Sequence, residues 1–366
     1  MPAAPVPANF DEISADWLSA ALSASSTASS DASGVSNVSN VSVSAVEVAP
    51  LGPSVGLLGD LARLHISYCG TPGPSSMIVK LPTSDPGGHQ VGSMLRAWAR
   101  EVAFYTEVAP ASPGAKVPIC YHADGDPAAE RWVVLLEDIA SDPVDANLGA
   151  TPAQAEAAVV ALSEFHAAWW QSPDRFGWMP GFDGGGVGGL QAPWIDALPI
   201  FLDRYGHLVP EPAGEWIQRF APTLGQWSDR VAGEPLTVVH ADYRIDNLLF
   251  NDDGVTMIDW QTALRGPGAM DLTSFVITSL TIEDRRANEE HLIAMYVDSL
   301  ASAGVDVDRD WFRRSYDENL LWWMGQFANN LARLEPEDPA IQRSLDTMIE
   351  RTYTAAVDRD VGRLLG

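Results

Sequence analysis

Asp242 and Asn247 stand five residues apart in Val239-His240-Ala241-Asp242-Tyr243-Arg244-Ile245-Asp246-Asn247-Leu248, and a second aspartate follows in Met257-Ile258-Asp259-Trp260. These residue types at this spacing suit phosphoryl transfer. That reaction needs an aligned acceptor hydroxyl and neutralisation of the charge that builds on the phosphate oxygens, with little covalent help. Asp242 is expected to orient the hydroxyl and take its proton. Asn247 and Asp259 offer one neutral and one anionic oxygen, the hard donors that magnesium prefers. Arg244, two residues beyond the proposed base, is expected to touch the transferring phosphate as a fixed cation.

The elements that must position these groups are legible nearby. Leu236-Thr237-Val238-Val239 is short, apolar and β-branched, and reads as a buried strand delivering His240 and Asp242 to a loop. Leu248-Leu249-Phe250 reads as the next strand, Asn251-Asp252-Asp253-Gly254 has turn composition, and Val255-Thr256-Met257-Ile258 reads as a third. A loop followed by a hairpin brings Asp259 back toward Asp242 and Asn247.

The pattern resembles the aminoglycoside phosphotransferase and choline kinase superfamily, whose signature is His-Gly-Asp, four residues, Asn, then a strand ending in Ile-Asp. Here it stands as His240-Ala241-Asp242 to Asn247, with Ile258-Asp259. Ala241 departs from the family's glycine, which bears on the backbone conformation there. The resemblance also implies a later aspartate that hydrogen-bonds the catalytic loop, and Asp271 fills that place. Asp246 is read as structural too, capping backbone N–H groups, and His240 as a loop histidine that organises Asp242.

A nucleotide site is expected upstream. The chain has only two lysines, Lys80 and Lys116, among 22 basic residues. Lys80 ends the strand-like run Ser76-Met77-Ile78-Val79-Lys80, where kinases of the resembling type keep the lysine that pairs the α- and β-phosphates. Glu101 is its expected partner, on an amphipathic helical pattern running from Leu95 to Tyr105. Two strands joined by a glycine-bearing loop around Gly56 would cover the phosphates with backbone N–H groups. Arg131 to Ile139 reads as the strand leading into the hinge between lobes, and the resemblance implies that backbone groups near Glu137 and Ile139 hold adenine.

The resemblance spans roughly residues 45 to 330. Its texture in Arg100 to Tyr105, Leu136-Glu137-Asp138 and Phe165-His166-Ala167-Ala168-Trp169-Trp170 is most like the ecdysteroid-kinase-like branch. It implies an α+β, two-lobed, protein-kinase-like fold with an antiparallel N-lobe sheet and a mainly helical C-lobe. The expected division is a helix and Ser-rich connector over 1–44, with residues 22 to 44 flexible or an extended edge. A nucleotide-binding N-lobe follows over 45–139, and a C-lobe with catalytic loop, metal site and acceptor site over 140–366. Asp183-Gly184-Gly185-Gly186-Val187-Gly188-Gly189 reads as a mobile loop where the family builds its acceptor site. His166, Trp169 and Trp170 have the spacing of core residues, and Trp322 and Trp323 either fill the helical core or stack on an acceptor.

The expected activity is transfer of the γ-phosphate of ATP, with magnesium, to a hydroxyl of a small molecule. A protein kinase is the weaker reading: eleven residues separate Asp259 from Asp271, which leaves little room for an activation segment, and Asp259-Trp260-Gln261 lacks its glycine. A non-catalytic nucleotide-binding protein is the other alternative. A net charge of −27, with 49 acidic residues, disfavours nucleic acid and anionic membranes as partners and favours a cationic acceptor such as an amino sugar or amino alcohol. No apolar run reaches membrane-spanning length and no secretion signal is apparent, so a cytoplasmic enzyme is expected. Cys69 and Cys120 have neither disulfide-framework nor zinc spacing. No feature of the sequence fixes an oligomeric state.

Overall fold

Alternating apolar residues in residues 61–66, 77–81 and 133–135 point one face of a sheet at a helix, and this builds the first of two units. The computed structural model describes residues 4–25, 41–52, 58–70, 73–112, 114–183, 186–336 and 338–366. The chain divides into one unit of Met1–Ala140 with Thr256–Thr262, and a second of Ser141–Val255 with Ala263–Gly366.

In the first unit, α1 (Ala15–Ser25) is followed by β1 (Ser42–Leu51), β2 (Gly59–Cys69) and β3 (Ser76–Pro82). Then come α2 (Pro86–Leu95), α3 (Ala97–Ala103), β4 (Cys120–Asp126) and β5 (Arg131–Glu137). The five strands form one antiparallel sheet in the order β1-β2-β3-β5-β4. Trp17, Leu18, Ala21 and Leu22 of α1 pack on Ala62, Leu64, Met77, Val79, Val133 and Leu135. Lys80 lies out of phase with Met77 and Val79, so it points to the opposite face, where it pairs in register with Val134.

Two local features differ from the sequence reading. α1 runs to Ser25 and β1, an edge strand of the sheet, starts at Ser42, so the stretch 22 to 44, read as a flexible connector or an extended edge, overlaps an element at each end; residues 26–40 lie outside the described residues. The start of β1 is tied down because Val43 N–H donates to Ser19 Oγ at 2.9 Å. The helical pattern from Leu95 to Tyr105 is also not one helix. Arg96 adopts the left-handed conformation at φ 53° and its N–H closes α2 on Gly92 and Ser93 carbonyls, before α3 starts afresh. Trp98 causes the break to be useful: its ring lies against Gly92, where a Cβ would come within 2.5 Å, and its Nε1 donates to the Leu58 carbonyl at 2.6 Å. A π-turn over Phe104–Val108 then continues the chain.

The second unit is mainly helical. It holds α4 (Pro152–Trp169), α5 (Gln191–Tyr205), α6 (Glu211–Phe220), α7 (Leu224–Val231), β6 (Thr237–Val239) and β7 (Leu248–Asn251). β8 (Gly254–Met257), whose last two residues count with the first unit, β9 (Leu264–Gly266), α8 (Ala269–Ser279), α9 (Ile282–Ser302), α10 (Arg309–Leu331) and α11 (Pro339–Asp358) follow. α4 begins with Thr151 and Gln154 in a reciprocal capping box and Pro152 in the first turn. Every residue of α8 is buried, so it is the central helix around which α4, α9, α10 and α11 pack. β6 pairs antiparallel with β9, and β7 with β8 in the hairpin. An antiparallel sheet with helices in one unit and a helical second unit is the α+β kinase-like fold that the sequence predicts. Among the described residues, no helix is long and apolar enough to cross a membrane.

Candidate active site

The first unit assembles three of the expected residues. Lys80, two residues before the end of β3, places Nζ 2.9 Å from Glu101 Oε1 and 2.8 Å from Oε2, and 2.6 Å from Asp259 Oδ1. Glu101 comes from α3 and is almost fully buried, as is Lys80. Burial opposes the charge on both. For Lys80 the two carboxylates outweigh burial, Asp259 before Glu101, and hold the ammonium above its ordinary range. For Glu101 burial prevails over the pull of Lys80, and Asp259 adds to it, so its carboxyl stands above the ordinary value. Asp259 itself takes a left-handed backbone at φ 66°, which aspartate tolerates better than most residues. Trp260 behind it stacks on Phe104 at 4.0 Å with nearly parallel rings, which joins this segment to the turn that follows α3.

The second unit assembles the others. Asn247 donates through Nδ2 to the Asp242 carbonyl at 2.8 Å and to Asp242 Oδ2 at 3.0 Å, so its Oδ1 is the oxygen left to offer a ligand. Arg244 Nε lies 3.3 Å from Asp242 Oδ1 and its guanidinium also reaches Asp246 at 3.5 Å. Asp246, read from sequence as a backbone cap, therefore faces a cation; the loop N–H of Ile245 is taken by Ser279 Oγ instead. Asp271 does cap. Its Oδ2 accepts the His240 N–H at 2.6 Å and its Oδ1 the Ala241 N–H at 2.8 Å. Ala241 carries φ 59°, the left-handed region that the family's glycine would enter without cost.

The remaining expectations are placed as follows. Glu137 ends β5 and accepts the Ile119 N–H at 3.2 Å through its side chain, and Ile139 follows two residues on, half-buried. Gly56, with residues 53–57, lies outside the described residues, as do Gly184 and Gly185 of the glycine-rich loop. Trp322 and Trp323 are buried in the helical core, where Trp322 stacks with Trp227 and lies tilted against Trp194. Cys69 and Cys120 are free, and burial pushes the Cys120 thiol up to about 12.

Sequence reasoning missed two partners. Lys80 pairs with Asp259 as well as Glu101, and His166, read as core, bonds Asp271 at 3.2 Å and Tyr296 at 2.6 Å. Periodicity along α4 and α9 carries no signal for a contact made through polar tips.

Residues 67–315 match the phosphotransferase enzyme family. No curated protein matches the chain. Among solved structures, a Ralstonia eutropha protein assigned as an aminoglycoside phosphotransferase is similar at 15% identity and TM-score 0.53, over 86% of this chain and 93% of that one. A choline kinase from Cryptosporidium parvum is similar at 12% identity and TM-score 0.52, over 86% and 91%. A mutant aminoglycoside 2′-phosphotransferase in complex with GDP is similar at 12% identity and TM-score 0.52, over 89% and 94%. These likenesses are of fold. The family match itself runs from β2 into α10, across most of the sequence, and the chain belongs to the phosphotransferase enzyme family.

Proposed function

We propose that the protein is an ATP- and magnesium-dependent phosphotransferase that moves the γ-phosphate to a hydroxyl of a small molecule. The observation that carries this reading is the preset Asp242. Its carbonyl and carboxylate are both held by Asn247, and the two residues before it are pinned by Asp271. A base held in this way loses little freedom when a hydroxyl arrives, which is where positional catalysis gains most.

Asp242 orients the acceptor hydroxyl and takes its proton. Arg244, now paired with Asp242 and Asp246, supplies a cation for the phosphate in transfer. Lys80 holds the α- and β-phosphates, and Glu101 fixes its ammonium in place. Backbone groups near Glu137 and Ile139 hold the adenine, and the loop at Gly56 covers the phosphates. The donor set fits magnesium: Asn247 Oδ1 and the Asp259 carboxylate are hard oxygens of the kind that metal takes. Magnesium there would neutralise charge on the phosphate oxygens.

The acceptor we favour is an amine-bearing alcohol such as an amino sugar, with other hydroxylated metabolites as the wider class. The net charge of −27 and the acceptors named for two proteins of similar fold, aminoglycoside and choline, support it. The test is nucleotide consumption with ATP and with GTP against amino sugars, amino alcohols and neutral hydroxylated metabolites. With an acceptor identified, Asp242→Ala is expected to abolish transfer while nucleotide still binds. Wild-type transfer by Asp242→Ala would remove the base assignment.

A further inference from the structure

Asp271 holds the loop that carries Asp242, but a single buried carboxylate does not fix its own orientation. Three polar groups meet on it, the His240 and Ala241 amides and the His166 ring. Oδ2 accepts from the His240 N–H and lies 3.2 Å from His166 Nε2, and Oδ1 accepts from the Ala241 N–H. The other ring nitrogen of His166 lies 2.6 Å from the Tyr296 hydroxyl. His166, Asp271 and Tyr296 have no exposed surface. Burial first, and Asp271 second, push the Tyr296 phenol well above its ordinary value, so it remains a donor. Asp271 accepts from both amides, so the arrangement that completes the set has Tyr296 O–H donating to Nδ1 and Nε2–H donating to Asp271.

Gly268 supplies independent support for this wiring. A Cβ there would stand 2.3 Å from the Tyr296 hydroxyl and 3.1 Å from His166 Nδ1, although its backbone conformation is open to any residue. The start of α8 therefore has room for the Tyr296–His166 pair and for no side chain in its place. The backbone of His166 is anchored as well, because its carbonyl accepts from Thr237 Oγ1 at 2.8 Å on β6, the strand that leads into His240.

We propose that His166 is a positioning residue for the Asp242 loop, oriented by Tyr296 and acting through Asp271 on the His240 and Ala241 amides. The proposal rests on Asp242 being the base only for its effect on turnover; its effect on the loop does not.

The test is hydrogen exchange of the His240 and Ala241 amides in the full chain, with steady-state kinetics alongside once an acceptor is known. His166→Phe keeps a ring and removes both polar contacts. It is expected to speed exchange at both amides roughly tenfold, the size of one charge-assisted hydrogen bond. It should also lower kcat by between about tenfold and a hundredfold with the nucleotide KM little changed. His166→Gln, which can still donate to Asp271 and accept from Tyr296, is expected to restore protection and most of kcat. Tyr296→Phe, a smaller change, should move both readouts in the same direction and decides the matter should His166→Phe not fold. Unchanged exchange at both amides in a folded His166→Phe or Tyr296→Phe protein overturns the proposal. Loss of the Asp242 assignment would leave that readout intact, so the two readings fail separately.

Discussion

Replacing Lys80 by Met leaves two carboxylates facing each other where one cation now serves both. At 2.8 Å, and with an effective dielectric of about 20, the attraction between Lys80 and Glu101 is about 6 kcal/mol gross. Removing both charges from water costs several kcal/mol for each, so the intact pair contributes far less than that to stability. Breaking it is different, because Glu101, at 1% exposure, keeps its desolvation cost and loses its partner. The expected loss for Lys80→Met is about 3–5 kcal/mol at pH 8.

The pH dependence has a definite sign. Glu101 already stands above its ordinary 4.5 by burial, and losing Lys80 raises it further. A carboxyl raised in the folded state binds its proton there more tightly than in the unfolded chain. Its penalty is therefore absent below about pH 4.5, grows as pH rises above that, and is complete once pH exceeds the raised folded value. Chemical denaturation of Lys80→Met at pH 5 and pH 8 should show the larger deficit at pH 8. Adding Glu101→Gln removes the stranded charge, and the double variant should regain at least about 2 kcal/mol over Lys80→Met. Additivity of the two single changes to within about 0.5 kcal/mol would refute the coupling.

Two further outcomes follow from the second unit. Arg351→Met removes a buried guanidinium that donates to the carbonyls of Ala146, Asn147 and Thr278, at 2.6, 2.6 and 2.9 Å, and should cost about 3 kcal/mol in chemical denaturation. Gly268→Ala should cost about 1–3 kcal/mol by driving a methyl into the Tyr296 hydroxyl, and Tyr296→Phe in the same chain should recover part of that loss in the same assay.

What is legible in the sequence is what local composition dictates. β6 and the β7–β8 hairpin follow from β-branched runs around a turn, and Lys80 from its rarity and its place at a strand end. The break at Arg96 is hidden because residues 95 to 105 keep helical spacing; the left-handed turn at Arg96 and the fit of Trp98 against Gly92 appear only in three dimensions. The partners of the site residues are hidden for a different reason. Lys80 and Asp259 are 179 positions apart, and His166 and Asp271 are 105 apart, distances over which neither periodicity nor capping carries information.

The same physics explains why the acceptor cannot be read from a motif. The residues that lead into the glycine-bearing segment are held by scattered polar ties. Arg265 on β9 reaches Asp183 at 2.9 Å, contacts Asp174, and donates to the Met179 carbonyl at 3.2 Å, while Ser228 of α7 donates to the Phe182 carbonyl at 2.6 Å. Two separate stretches of chain, β9 and α7, thus hold residues 174–183. A change in either would shift those residues while leaving Asp242, Asn247 and Asp271 untouched. Phosphoryl transfer needs the same few groups whatever the hydroxyl, so a sequence can show them as a motif. Residues that act only through packing need no fixed spacing, so a segment shaped by such ties leaves no motif.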